Sequence, residues 1–302
     1  MRAITVSAFG PPAVLMPSEL PTPVPSPGQL LVEVTGAGVG PWDVKMRRGE
    51  YGPHDFPYIP GDEVSGIVGA INGDSAGFAV GDTVFGNTTA MVGGYAEYAL
   101  VDGNHLAAAP RHLDLEAAGA VPVAGATAIE GIDDYLHLGA GESLLVAGAA
   151  GGVGSFVVQV ARARGARVVA TASPTHHEFV RSLGADEVVD YHGDWVTTVR
   201  GVDAAFDCVG GDTFDGCLQA IRDGGRAVTI AASDRVEGHD PATASAFSVS
   251  ITPERLTEIA SLIDEGKVTV TISERIPLDQ AARAHELIET GHTLGKLVLI
   301  PG

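Results

Sequence analysis

The stretch that most limits what this chain can fold into is Leu144–Ser173, LLVAGAAGGVGSFVVQVARARGARVVATAS. SLLVAGA reads as a strand, GVGSFVVQVARARG as a helix and ARVVATAS as a second strand, with a glycine-rich turn at the first junction. The alternation continues through PTHHEFVRSLG (helix) and DEVVDY (strand) to DAAFDCVG and RAVTIAA, strands separated by the helical DTFDGCLQAIRDGG. A βαβαβ order of this kind implies a parallel sheet with right-handed crossovers.

The flanks differ. Residues up to about 120 read as short strands broken by Pro and Gly (LLVEVTGAGV, VSGIVGAI, GDTVFG, GYAEYALV), and PSELPTPVPSPGQ reads as an extended surface loop. After the helical TPERLTEIASLIDEG the pattern is again strand-rich at VTVTISERIPL, then a helix, LDQAARAHELIETG, and a closing strand, KLVLIPG. The expected organisation is an α/β domain at 123–267 inserted into a β-rich domain built from 1–122 and 268–302. Aromatic residues make up only 6% of the chain, so its core must be mostly Val, Ala, Leu and Ile, which suits buried parallel strands.

The net charge of −20 comes without a Lys/Arg-rich run, which argues against a nucleic-acid partner. No apolar run reaches the roughly 18 to 20 residues that cross a bilayer, and MRAITVSAFG alternates like a strand rather than a signal peptide. Two cysteines, Cys208 and Cys217, make no disulfide framework. A cytoplasmic protein without a membrane partner is the expectation.

Measured against G-x-G-x-x-G, the glycine turn offers Ala149, Gly151 and Gly154. Gly151 lets backbone approach a pyrophosphate, and Ala150, Gly151, Gly152 and Val153 face the phosphates at the start of the helix. An NAD site ordinarily ends its second strand in Asp or Glu, which binds the ribose hydroxyls. Here the position falls in ATASPTHH, with no acid before Glu178, so NADPH is the expected cofactor. The expected contacts to its 2′-phosphate are Ser173, His177 and Tyr191, with Arg181 as the alternative cation.

The chain resembles the medium-chain dehydrogenase/reductase superfamily, in its zinc-independent, quinone oxidoreductase-like branch. The matching stretches are GVGPWDVKMRRG, FPYIPGDEVSGIV, GDTVFG, GGYAEYALVDGNHLAAAP, AAGAVPVAGATA, AAGGVG, RSLGADEVVDY, FDCVGG and AHELIETGHTLGKLVLIPG. They run in order along the chain. The resemblance implies an α/β fold: a Rossmann-type doubly wound parallel sheet inserted in a β-rich, GroES-like domain. Zinc-dependent members hold their metal with an early Cys and the His of a G-H-E motif; this chain reads VGPWD and Gly61-Asp62-Glu63 there, so no metal is expected. His54 and His105 are expected to be surface or packing residues, not ligands.

Without zinc, the resemblance implies hydride transfer from NADPH to a substrate that is already electrophilic, a quinone or an α,β-unsaturated carbonyl. It places Thr127 near the nicotinamide, and Cys208, Val209 and Gly210 at the strand end passing its ribose, with Ala231 and Ser233 at the end of the next strand. Lys45, Tyr51 and Tyr58 flank the substrate, Lys45 supplying charge and Tyr51 a hydrogen bond or proton. Gly40 stands where many relatives have Asn. Two other readings stay open: a biosynthetic enoyl or ketone reductase with a specialised substrate, and an NADPH-binding protein without turnover. Relatives commonly pair through their α/β sheet edges, so a homodimer is expected, with TASAFSVS as the candidate edge strand.

Overall fold

The computed structural model describes the whole chain except Thr89, Ala90, Ala232, Gly238, Pro241 and Ala242, and the side chain of Ser233. The chain divides into two compact units: Met1–Val123, Ile251–Asp264 and Val270–Gly302 in one, Ala124–Ser250 and Glu265–Thr269 in the other.

The first unit opens with an antiparallel ribbon, β1 (Arg2–Thr5) against β2 (Met16–Glu19). The long β3 (Gln29–Val39) follows, then helix α1 (Pro41–Arg48) and strands β4 (Glu63–Asn72), β5 (Thr83–Asn87), β6 (Tyr98–Asp102) and β7 (Leu106–Ala108). Helix α2 (Leu115–Ala118) ends this part, and α3 (Pro122–Glu130) begins on its last two residues and continues in the second unit. Along β3, buried Leu30, Val32 and Val34 alternate with half-buried Leu31 and exposed Glu33, the pattern of a strand with one face in a core. Val64, Val68 and Val84 join that core from β4 and β5.

The run of short strands expected up to about residue 120 is interrupted by α1. Pro41 occupies its first turn, where no N–H is needed, and Asp43 Oδ2 accepts the Gly40 N–H at 2.8 Å. Gly49 ends the helix at φ +80°.

The second unit is a six-stranded sheet of β8 (Ser143–Ala147), β9 (Arg167–Ala172), β10 (Glu187–Asp190), β11 (Val202–Asp207), β12 (Ile221–Thr229) and β13 (Ala244–Ala246). Its order is β10-β9-β8-β11-β12-β13, and every pairing is parallel. Helices α4 (Gly152–Ala163), α5 (His177–Ser182), α6 (Trp195–Thr198) and α7 (Asp212–Ala220) make connections between strands. Leu144 to Ala147 on β8 are all 0% exposed, which requires cover on both faces of the sheet. The helix expected over 212–225 stops at Ala220. Ile221 already pairs with Val202, and Gly224 at φ +70° suits a bend in strand backbone better than a helix interior.

The chain ends in the first unit with α8 (Pro253–Asp264), β14 (Ile272–Pro277), α9 (Ala281–Glu289) and β15 (Lys296–Ile300). β15 pairs antiparallel with β3, Leu297 opposite Val39, and completes the sheet order β14-β15-β3-β4-β5-β7. Sequence-distant Lys296 is thereby placed beside the start of β4.

Candidate active site

In the parallel sheet, the loops after β8, β9, β10, β11 and β12 all leave the same edge, the carboxyl ends of the strands. The order reverses between β8 and β11, which makes that gap the switch point where open α/β sheets take ligands.

At the end of β8 the tight turn is made by Gly148, at φ +77°, one residue before Ala149, which stands at the first position of the motif. Ala149 is 0% exposed and its N–H reaches Thr171 O at 3.3 Å, so its methyl is core. Gly154 faces the turn from α4: a Cβ there would lie 2.2 Å from Gly148 O. Gly151 caps the helix without a side chain, and its carbonyl accepts the Ser155 N–H at 3.0 Å. The N–H groups of Gly152, Val153 and Gly154 have no partner among the described residues. Three free donors at the positive end of a 12-residue helix fit the pyrophosphate of a dinucleotide.

Beyond β9, Ser173 Oγ lies 2.9 Å from Thr175 Oγ1 and 3.2 Å from His176 Nδ1. His177 instead turns back, its Nε2 donating to Ala172 O at 3.1 Å. Tyr191 is 44% exposed at the end of β10 and stacks on His192, with centroids 4.2 Å apart. Its neighbour Asp190 accepts from His192, which holds that carboxyl below its ordinary range. The structure thus groups Ser173 with Thr175 and His176, two residues the sequence reading had not selected. A run of small hydroxyls beside paired histidines was the available signal.

The ends of β11 and β12 are tied together by Asp207, also missed from sequence. It is 0% exposed, and its carboxylate accepts the N–H of Val209 (3.0 Å), the N–H of Gly210 (2.9 Å) and the Thr229 hydroxyl (2.7 Å). Thr229 Oγ1 in turn accepts the Ala231 N–H at 3.1 Å. Cys208, Val209, Gly210 and Ala231 are therefore fixed as one rim. Val209, 56% exposed, packs against the Gly148 turn, and a Cβ on Gly210 would lie 2.7 Å from Ala231 O. Ser233 starts a 3₁₀ turn just beyond. Burial pushes the Cys208 thiol up, with the Asp207 charge adding to it, the opposite of a reactive cysteine. Thr127 is 4% exposed on α3.

In the first unit, α1 carries half-buried Lys45, and Tyr51 follows it, 52% exposed. Partial burial, then the charges of Asp43, Glu50 and Asp62, raise the Tyr51 phenol above its ordinary range and keep it protonated. Tyr58 is 7% exposed and edge-on to His54, centroids 4.4 Å apart. Burial first, and then Asp43, push Tyr58 up to about 12. Gly40 has a structural reason: a Cβ there would lie 2.3 Å from the Trp42 ring, so the indole occupies the space a larger residue would need.

Beneath these lies a buried charged group. Glu63, 0% exposed, takes Lys296 Nζ on Oε1 at 2.5 Å and the Val123 N–H on Oε2 at 2.9 Å. The same ammonium sits 4.6 Å from the Trp42 ring centroid. Asp43 is 1% exposed, and burial, joined by the charges of Asp62 and Glu63, raises its carboxyl. Among the described residues no group of three or more His, Cys, Asp or Glu is arranged to hold a metal ion. Nor is any helix long and apolar enough to cross a membrane.

Residues 26–111 match the family model of the alcohol dehydrogenase GroES-like domain, and 183–299 that of the zinc-binding dehydrogenase. The chain is 31% identical to a quinone oxidoreductase of Pongo abelii, over 99% of this chain and 98% of that one. It is 32% identical to the chloroplastic NADPH-dependent alkenal/one oxidoreductase of Arabidopsis thaliana, over 100% of this chain and 80% of the relative. Escherichia coli quinone oxidoreductase complexed with NADPH superposes with a TM-score of 0.89 at 27% identity, covering all of both chains. With both domain models matched in order and a relative 31% identical over nearly the full length of both chains, the chain belongs to the zinc-independent, quinone oxidoreductase-like family of medium-chain dehydrogenases/reductases.

Proposed function

We propose that the chain is an NADPH-dependent reductase that transfers hydride to a quinone or an α,β-unsaturated carbonyl. The observation that carries this reading is the strand edge of the parallel sheet. It joins a helix N-terminus with three free amides, a rim pinned by Asp207, and a β9 end at Ser173 that carries hydroxyls and a histidine where an acid would repel a 2′-phosphate.

NADPH supplies the hydride when bound. The chain's own part is to hold the dinucleotide, orient the acceptor and stabilise the charge that develops on it. The amides of Gly152 and Val153 take the pyrophosphate, and Ser173, Thr175 and His176 the 2′-phosphate. His177 and Tyr191 are second contributors to that end, and Thr127, Cys208, Val209, Gly210, Ala231 and Ser233 border the nicotinamide. Lys45 faces the developing oxyanion with its ammonium, and the protonated Tyr51 phenol donates to it. Relatives named for quinones and for alkenals and enones support the substrate class.

We read residues 123–267 as the cofactor domain and 1–122 with 268–302 as the substrate domain. β13 is an edge strand of only three residues, and we assign it the dimer contact. Light scattering after size exclusion tests that assignment, a monomer refuting it. For the activity, purified protein is mixed with NADPH, a chelator and either 9,10-phenanthrenequinone or an enone, and the nicotinamide absorbance is followed. Steady chelator-insensitive oxidation is expected; binding of NADPH without turnover of any electrophile would refute the reading.

A further inference from the structure

The chain holds three asparagines, and only Asn72 precedes a glycine. It is the last residue of β4, exposed, and paired with Gln29 at the start of β3. Its carbonyl accepts the Gly28 N–H at 2.7 Å, and its Nδ2 donates to Pro25 O at 2.8 Å. Gln29 completes the turn: its Oε1 accepts the Ser26 N–H at 3.0 Å, and its own N–H reaches Ser26 O at 2.9 Å. Asn72 thus ties the end of the proline-rich stretch to the end of β4.

The nitrogen after it is open to reaction. Gly73 is exposed at φ +87°, and its N–H has no hydrogen-bond partner among the described residues. Without a Cβ, nothing of Gly73 itself screens that nitrogen from the Asn72 side chain. A Cβ there would lie 3.3 Å from Gly28 N, so the two turns pack closely at this point. The other asparagines are placed differently. Asn87 is half-buried, and the N–H that follows it, on Thr88, is held by Asp62 O at 2.6 Å. Asn104 sits in the 3₁₀ turn Gly103–His105, its Nδ2 held by Asp102 Oδ1 at 3.0 Å, and the next nitrogen belongs to a residue with a bulky side chain.

We propose that Asn72-Gly73 is a site of spontaneous covalent modification, where the asparagine of the folded chain becomes aspartate and isoaspartate and the proline-rich turn is loosened. Gly73 N loses its proton and attacks Asn72 Cγ. The N–Cγ bond forms, the Cγ–Nδ2 bond breaks, and ammonia leaves with the proton, closing a five-membered succinimide. Water then adds at either ring carbonyl. Opening of the Cγ–N bond gives aspartate; opening of the C–N bond gives isoaspartate, with the main chain routed through Cγ. Nothing is oxidised or reduced, and water is the only co-reactant. Either product exchanges the Nδ2 donor for a carboxylate oxygen, which meets Pro25 O as a second acceptor, and adds a negative charge to a chain already at −20.

The test is incubation of the native protein in mildly alkaline buffer made with oxygen-18 water, beside a sample in guanidinium chloride. Peptide mapping by mass spectrometry then locates the label, and isoaspartyl methyltransferase marks isoaspartate. Label should accumulate at residue 72 of the folded protein and not at Asn87 or Asn104. The hold of Nδ2 on Pro25 should slow the folded rate by no more than about tenfold against the denatured one, the size of one hydrogen bond. A residue 72 left intact in the folded sample overturns the proposal, as does equal conversion at all three asparagines. Asn72→Gln, which cannot close a five-membered ring, should take up no label. Hydrogen exchange reads the loosening: in Asn72→Asp, and in the incubated native protein, the Ser26 and Gly28 amides should exchange about tenfold faster than in fresh protein. Unchanged exchange in the converted protein overturns the release of the turn.

Discussion

Val209 lies against Gly148: a Cβ built on Gly148 would fall 2.9 Å from Val209 Cγ2, so the turn after β8 and the rim after β11 close on each other at the switch point of the sheet. Gly148 also sits at φ +77°, where an L side chain is strained. Gly148→Ala should therefore cost about 1–3 kcal/mol of stability and weaken NADPH binding by at least about tenfold. Thermal melting and a fluorescence titration with NADPH read the two effects.

Lys296 and Glu63 are 3% and 0% exposed at their side chains. Lys296→Met leaves Glu63 buried without its cation and should destabilise the protein by about 3–5 kcal/mol. Adding Glu63→Gln should return a large part of that loss, because no unpaired charge remains. Denaturant titration of the two variants measures it; equal stability of single and double variants would count against a buried ion pair here.

His285 is 0% exposed, and its Nε2 lies 3.2 Å from the Tyr95 hydroxyl. Burial first, then the nearby Arg47 guanidinium, lower it to about 3. Between that value and its ordinary 6.5 the unfolded chain binds a proton that the folded chain refuses. Stability from this group is complete above about pH 6.5 and falls as the pH drops toward 3, by about 5 kcal/mol at most. His285→Gln should flatten the decline of melting temperature between pH 6.5 and 4. An unchanged slope would mean that carboxylates alone set the acid limit.

The β8–α4–β9 unit was legible in the sequence because its hydrophobic period changes from strand to helix across a glycine turn. Helix α1 was not: eight residues, starting at Pro41 and ending at Gly49, are too few to show a period among neighbouring strands. The candidate site was legible where it follows from local chain order, as in Gly151 to Val153. It was illegible where it depends on side chains meeting across the fold. Asp207 reads as one more strand residue until its three donors converge on it. Glu63 and Lys296 are 233 positions apart, and only the pairing of β15 with β3 brings Lys296 to it. His176 was passed over for His177 because spacing alone does not say which ring turns toward Ser173 and which back to Ala172.

The proposed preference for NADPH follows from an open helix N-terminus succeeded by an acid-free β9 end. The most direct measurement is the ratio of kcat/KM for NADPH to that for NADH, with 9,10-phenanthrenequinone held saturating. A ratio above about ten is predicted, the size of one charge-assisted contact to the 2′-phosphate. A ratio below one would contradict it.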